Sequence, residues 1–406
     1  MIESVDVAIV GAGQAGLSVS WFLKKAGVDH VVLDSGRIAE TWRSRRWDSF
    51  CLVTPNWSIK LPGGAYRGPD PDGFMPLADL VDHFESWAKS FQAPVRESCT
   101  VSQLEALPEG GFLLSVPSGA LRARKVVIAS GAFQRAHRPA GADAIPRGVV
   151  QLLAEEYANP GVLAPGAVVV VGSGQTGCQL AEELHQAGRT VFLACGRSWW
   201  VPRRLAGRDI VWWMAESGFF DRTPDTLPSP AARLFGNPQA TGHDGGYDLH
   251  FRTLHQSGVE LLGRFAGADG STLHFADDLA ASVDFGDARW GAFRKHIDEW
   301  CLARGVDSPV YEIPPPMRMN TRTELDVKAE AIATVIWTTG YRLDYSWVQF
   351  PVFDDMGFPI QTDGRTSVPG LYFAGGPWLR KNKSSILYGV AEDAEVVARQ
   401  ILGGPR

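Results

Sequence analysis

Residues 5–36 read VDVAIVGAGQAGLSVSWFLKKAGVDHVVLDSG, and this stretch decides the fold. Val5 to Val10 is a β-branched run of the kind buried in a parallel strand. It breaks at Gly11-Ala12-Gly13-Gln14-Ala15-Gly16, and an apolar-periodic helix follows to about Ala26. A second strand, Val31 to Leu33, ends on Asp34. A GxGxxG match carries meaning only in this strand–turn–helix–strand setting. Gly11 permits the tight turn, Gly13 lets the backbone approach a pyrophosphate, and Gly16 lets helix and strand pack closely. The helix start at Gln14 and Ala15 presents free N–H groups and a favourable dipole to phosphates. Asp34, 23 residues after Gly11, is placed with Ser35 to hold a ribose.

The motif recurs. Ala167 to Val171 lead into Gly172-Ser173-Gly174-Gln175-Thr176-Gly177, then a helix to about Gln186 and a strand from Thr190 to Ala194. Cys195 stands where the first copy has Asp34, and Arg197 and Ser198 follow. An acid here would repel a 2′-phosphate, whereas an arginine just beyond the strand can pair with one. The first copy therefore reads as an FAD or NAD site and the second as an NADP site. The alternative for Arg197 is a solvated loop cation.

A chain of 406 residues exceeds what one core usually fills, so more than one domain is expected. Hydrophobic content of 45% and charged content of 21% suit a soluble globular protein. A net charge of −6 argues against a nucleic-acid or anionic-membrane surface. No apolar run reaches the ~20 residues of a spanning helix. The chain enters its first strand almost at once, with neither a basic region nor a cleavage site, so a cytoplasmic location is expected. Cysteines 51, 99, 178, 195 and 301 are scattered and odd in number, which suits a reducing compartment better than a disulfide framework. No clustered His/Cys spacing suggests a metal.

Between the motifs, Arg37 to Leu61 is tryptophan-rich and polar and reads as loop wrapped over the cofactor, with Trp42, Arg43 and Trp47 as candidate contacts. Residues 76–91 have a helical period. Val95 to Leu107, with Val101 a further candidate, and Gly111 to Val116 read as strands around a turn. Lys125 to Ser130 is a buried strand closing on VIASG at Gly131, and Ala333 to Gly340 closes the second half in the same way, with Thr339 and Gly340 at its end. The repeated order predicts an α/β fold with two Rossmann-like dinucleotide-binding domains, the second inserted in the first. The expected limits are 1–160 and 331–406 for the outer domain and 161–330 for the inner one. Residues 199–247 read as an aromatic-rich insertion with short helices. Gly370 to Ala374 is a strand ending on Gly375-Gly376, and a helix is expected from about Ser384, capped by Ser384 or Ser385. Lys381 and Lys383, just before it, would favour an anion such as the N1–C2=O edge of a reduced flavin; solvated loop lysines are the alternative.

Together the two glycine motifs, TTGY at 338–341, and PGLYFAG at 369–375 resemble the class B flavin monooxygenases, which include flavin-containing monooxygenases, N-hydroxylases and Baeyer–Villiger enzymes. RWDSFCLVTPNW at 46–57 and GVAEDAE at 389–395 look most like a bacterial branch of flavin-dependent oxidoreductases. The resemblance is to a glutathione-reductase-like fold. It implies FAD in the first site and NADPH in the second, O2 and a small molecule as co-substrates, and a C4a-hydroperoxide on the flavin that NADP+ shields. Asn56 matches the asparagine that supports this species, and Lys383 is the second catalytic candidate. The oxygenated atom would be N or S, or the carbon framework of a ketone or aromatic, and a homodimer is one assembly to test. A reductase or oxidase without oxygen transfer, and a redox sensor, are the competing classes. The pattern departs at one place: Leu153 stands where the family has a histidine four residues before Tyr157.

Overall fold

The computed structural model describes residues 2–403 except 313, 318 and 320. The opening stretch folds as β1 (Glu3–Val10), α1 (Gln14–Lys25) and β2 (His30–Leu33). A five-residue helix α2 (Glu40–Ser44) interrupts what the sequence suggests is loop, and α3 (Leu77–Ser90) buries Leu80, Val81, Phe84, Trp87 and Ala88 on one face. The strands β3 (Val95–Arg96), β4 (Gln103–Ala106), β5 (Phe112–Val116) and β6 (Gly119–Ile128) complete the first half. Their sheet runs β3-β2-β1-β6-β5-β4, parallel from β3 to β6 and antiparallel from β6 to β4. The last strand, β19 (Leu371–Phe373), pairs in parallel with β6, and α8 (Val390–Ile401) packs on α1.

After β7 (Arg135–Ala136), the chain enters a second sheet at β8 (Val150–Leu153) and continues as β9 (Ala167–Val171), α4 (Gln175–Gln186) and β10 (Val191–Ala194). A short ribbon, β11 (Arg204–Leu205) and β12 (Arg208–Asp209), opens the insertion, followed by α5 (Ile210–Glu216) and α6 (Phe251–Ser257). Then come β13 (Glu260–Leu262), β14 (Phe265–Asp269), β15 (Thr272–Phe275), α7 (Leu279–Arg304), β16 (Glu324–Asp326), β17 (Ile332–Trp337) and β18 (Tyr341–Arg342). The second sheet, β13-β10-β9-β17-β8, is parallel throughout, and β14-β15-β16 form an antiparallel sheet of their own. Val168 to Val170, with side chains on alternating faces, are fully buried because parallel strands are covered on both sides.

Each landmark of the inner Rossmann unit lies 161 residues after its counterpart: Gly11 and Gly172, Gln14 and Gln175, His30 and Val191. The inner domain is wider than expected. Strands β8 and β17 fall outside 161–330 yet belong to the inner sheet. The chain crosses between domains where β7 and β18 pair antiparallel, Ala136 opposite Tyr341 and Arg135 opposite Arg342. The two crossings are thus tied to each other. A fourth buried cluster fills the insertion with Trp199, Trp200, Trp213, Phe219, Phe220, Trp290 and Phe293.

Candidate functional site: two glycine cradles and the loop between them

In the first cradle, Gly11 has φ +113°, and a Cβ there would stand 2.4 Å from the Ala129 carbonyl oxygen and 3.2 Å from the Ser130 Cα. A Cβ on Gly16 would lie 1.9 Å from the Gly11 oxygen. Both glycines are demanded by the protein's own packing. Gly13 is different: a Cβ there meets no protein atom within 4 Å, so a partner outside the chain accounts for it, as a pyrophosphate would. Asp34 accepts from the Ala12 N–H at 2.6 Å and the Gly36 N–H at 2.8 Å, pinning the turn to the strand end. Burial pushes its carboxyl upward, and those two N–H groups oppose the shift. Each oxygen keeps a further acceptor site for a ribose hydroxyl. The Cys99 N–H donates to the Asp34 carbonyl, and the Ser98 N–H to that of Gly36, which brings the segment before buried Val101 beside Asp34 and Ser35. Ser130 and Gly131 follow β6 at the mouth of the turn, where Gln134 donates to both the Ser130 hydroxyl and the Gly131 carbonyl.

The C-terminal segment closes this cradle from above. Gly375, φ +74°, crosses so near α1 that a Cβ would fall 2.3 Å from the Ala15 Cβ. The Gln14 amide donates to the Ser385 carbonyl at 2.7 Å. The expected helix start is corrected here. Residues 382–385 form a single 3-10 turn, and α8 begins only at Val390, after Gly389. Ser384 accepts from the Arg380 and Lys381 N–H groups instead of capping α8. The expected free cation is also corrected. The Lys383 ammonium is buried between Asp221, at 3.0 Å, and Glu392, at 2.5 Å. Lys381 joins the same two carboxylates. Two lysines facing two acids leave no net charge to offer an anion, so Lys383 is removed from the catalytic set.

The second cradle repeats the first. Gly172 has φ +108°, a Cβ on it would meet the Thr338 oxygen at 2.6 Å, and one on Gly177 the Gly172 oxygen at 1.9 Å; around Gly174 nothing lies within 4 Å. With no acid at Cys195, the turn is pinned from the other side: the Ser173 hydroxyl accepts from the Gly196 N–H at 2.9 Å and lies 3.4 Å from the Ser198 hydroxyl. Gln175 donates to the Pro238 carbonyl at 2.7 Å, as Gln14 does to Ser385, and Thr176 follows it half-buried. Thr339 donates to the His137 carbonyl and Gly340 accepts from the His137 N–H, at the end of β17. Arg197 is exposed and makes no ion pair among the described residues. One contributor has no signal in the sequence. Gln239, 1% exposed, donates to the Ser173 carbonyl at 2.8 Å, and its own carbonyl oxygen is buried without a partner.

Residues 42–60 run between the cradles. Trp42 and Trp47 pack on Phe50, and Arg43 pairs with Glu85 of α3, so these three hold the loop's shape from within. Arg203, 2% exposed, donates to the Val53 and Thr241 carbonyls and to Asp209, joining the loop to the inner domain's insertion. On the other side the Lys60 N–H donates to the Leu387 carbonyl, and Trp57 meets Tyr388 edge-on. Asn56 lies between these two anchors. It is 5% exposed, its amide nitrogen donates to the Asp70 carbonyl at 2.9 Å, and its carbonyl oxygen is buried and unpaired. A buried unpaired carbonyl costs ~1–3 kcal/mol, which a donor from a bound molecule would recover. Leu153 ends edge strand β8, and Tyr157 is buried beside Glu183 of α4, whose acidic group and phenol are both pushed up by burial. Among the described residues there is no group of side chains able to hold a metal ion, and no helix long and apolar enough to cross a membrane.

The profile of the pyridine nucleotide-disulphide oxidoreductase family matches residues 8–206. An oxidoreductase of Geobacillus kaustophilus, described as uncharacterized and CzcO-like, is 31% identical over 406 residues, covering 99% of both chains. The indole-3-pyruvate monooxygenase YUCCA4 of Oryza sativa is 27% identical over 248 residues, covering 52% of this chain and 56% of that one. The solved flavin-containing monooxygenase of Stenotrophomonas maltophilia superposes with a TM-score of 0.65 at 20% identity, with 99% of both chains covered.

Proposed function

The chain belongs to the class B flavin-dependent monooxygenase superfamily, among its CzcO-like oxidoreductases, and from that premise we propose that it oxygenates a small organic molecule with NADPH and dioxygen. FAD lies in the first cradle, its pyrophosphate over Gly13 and the start of α1, its ribose on Asp34. NADPH lies in the second, over Gly174 and α4, with Arg197 on the 2′-phosphate. Bound flavin supplies the redox chemistry and the activation of dioxygen. The protein's own residues orient the two nucleotides and keep water out, and the aromatic cluster of the insertion provides the dry wall. The observation that carries the reading is the buried, unpaired carbonyl oxygen of Asn56, on a loop anchored to both domains. It can accept a hydrogen bond from a donor on either nucleotide and hold the two in register. Asn56 is the positioning residue of this account.

The test is a coupling measurement. The purified protein should hold FAD, prefer NADPH to NADH, and with a substrate convert part of the consumed NADPH to oxygenated product. NADPH consumption with all oxygen recovered as hydrogen peroxide, across amines, thioethers, ketones and aromatic acids, would favour an oxidase instead.

A further inference from the structure

Two cations border the aromatic cluster without a counter-charge. Arg222 follows the 3-10 turn Phe219–Asp221; its Nε donates to the Phe219 carbonyl at 3.2 Å, and its guanidinium sits 3.7 Å over the Phe219 ring and 5.7 Å from Trp378. Arg289 of α7 faces Trp199 at 5.9 Å and Phe235 at 5.6 Å. The Trp199 and Phe219 rings are 6.0 Å apart, so one aromatic wall carries both guanidiniums. Neither arginine has a carboxylate partner among the described residues. Every charged neighbour around them does: Arg233 with Asp354, Arg380 with Asp363 and Asp393, Lys381 with Asp221 and Glu392.

These neighbours rim a cleft of about 480 Å³ between Thr223–Pro224 and Trp378–Lys381, where the insertion meets the C-terminal segment. Burial lowers Arg222 to about 10, and the positive charge of Arg289 adds to the shift; burial lowers Arg289 as well. A partly desolvated cation beside another cation is unfavourable unless an anion offsets it. Ring faces give only a partial offset. Guanidinium groups suit a carboxylate because their planar fork donates two parallel hydrogen bonds, and flat rings suit an aromatic body.

We propose that Arg222 and Arg289 form the substrate's anion-recognition site, and that the substrate is a planar aromatic molecule bearing a carboxylate. The proposal rests on the reading of the chain as a small-molecule oxygenase. The ring lies along Phe219, Trp199 and Trp378, the carboxylate bridges the two guanidiniums, and neutral analogues lose the ionic contact.

Binding, which needs neither NADPH nor dioxygen, keeps this test separate from that of the reaction. Titrate the FAD-bound protein calorimetrically with 2-naphthoate and 3-phenylpropionate, and with their amides. At least one acid should bind tenfold or more tighter than its amide. Arg222→Gln and Arg289→Gln should each weaken that acid at least tenfold and leave the amide within twofold; Arg222→Lys should recover part of the loss. Acids and amides binding alike, or failing alike, in both wild-type pairs would overturn the proposal whether or not the variants fold. So would an Arg222→Gln protein that loses affinity for NADP+ but not for the acid, since the pair would then read the cofactor's phosphate. Acid-selective binding without any oxygenated product would contradict the reaction and leave this site standing.

Discussion

At the scale of single residues, Arg197 and Asn56 differ in what surrounds them. Arg197 is exposed and without an ion pair among the described residues, as its place beyond the inner strand suggests. A charge-assisted hydrogen bond to a 2′-phosphate contributes ~1.5–3 kcal/mol, so Arg197→Ala should raise KM for NADPH roughly ten- to hundredfold and leave NADH nearly unchanged. Equal losses with both cofactors would make the residue structural. Asn56→Ala should retain FAD and still consume NADPH, while hydrogen peroxide rises and oxygenated product falls; an unchanged ratio would reduce Asn56 to a turn residue. Gly375→Ala would place a Cβ 2.3 Å from that of Ala15 at a φ of +74°. The variant should lose most of its flavin absorbance after gel filtration, and full retention would move FAD away from this crossing. The glycines are legible because their spacing is local and each answers one steric demand. Lys383 is not, because its partner Asp221 lies 162 residues away in sequence, and no local pattern announces the pairing.

At the scale of elements, the Rossmann strands and helices follow their hydrophobic period closely, whereas short or edge elements do not. Helix α2 is five residues of mixed polarity, and β8 is an edge strand of four, neither long enough for a period to show. The inner domain's limits therefore move outward once pairing is seen. Helix α8 starts late because Gly389 packs on Lys383, where a Cβ would meet the Lys383 carbonyl at 2.5 Å, and residues 386–389 stay non-helical. Helix α6 carries a prediction of its own. His250 caps it by accepting from the Thr253 N–H, is 8% exposed, and has its pKa lowered by burial from 6.5 to about 4. Between those values the unfolded chain binds a proton that the native protein does not. Stability is then full above pH 6.5 and falls as pH drops towards 4, by about 3 kcal/mol in all. His250→Gln should flatten the fall in melting temperature between about pH 7 and 4.5; an unchanged slope would assign the loss to other groups.

At the scale of the whole molecule, one Rossmann unit is set inside another, and the β7–β18 ribbon ties the two crossings together. Arg203 and the 52–60 loop then fix the cradles relative to each other. That arrangement is anticipated by the repeated order of motifs. The closure between the cradles is not, since Arg203, Gln239 and Tyr388 belong to irregular segments whose roles depend on distant partners. The geometry asks both nucleotides to meet at one dry junction, where electrons from NADPH reach dioxygen beside a bound substrate. Turnover with oxygen-18-labelled dioxygen, followed by mass spectrometry of the product, tests this most directly. The account predicts one labelled oxygen atom per product molecule, with NADPH consumed in at least equal amount. Product free of the label, or labelled oxygen recovered only as hydrogen peroxide and water, would contradict it.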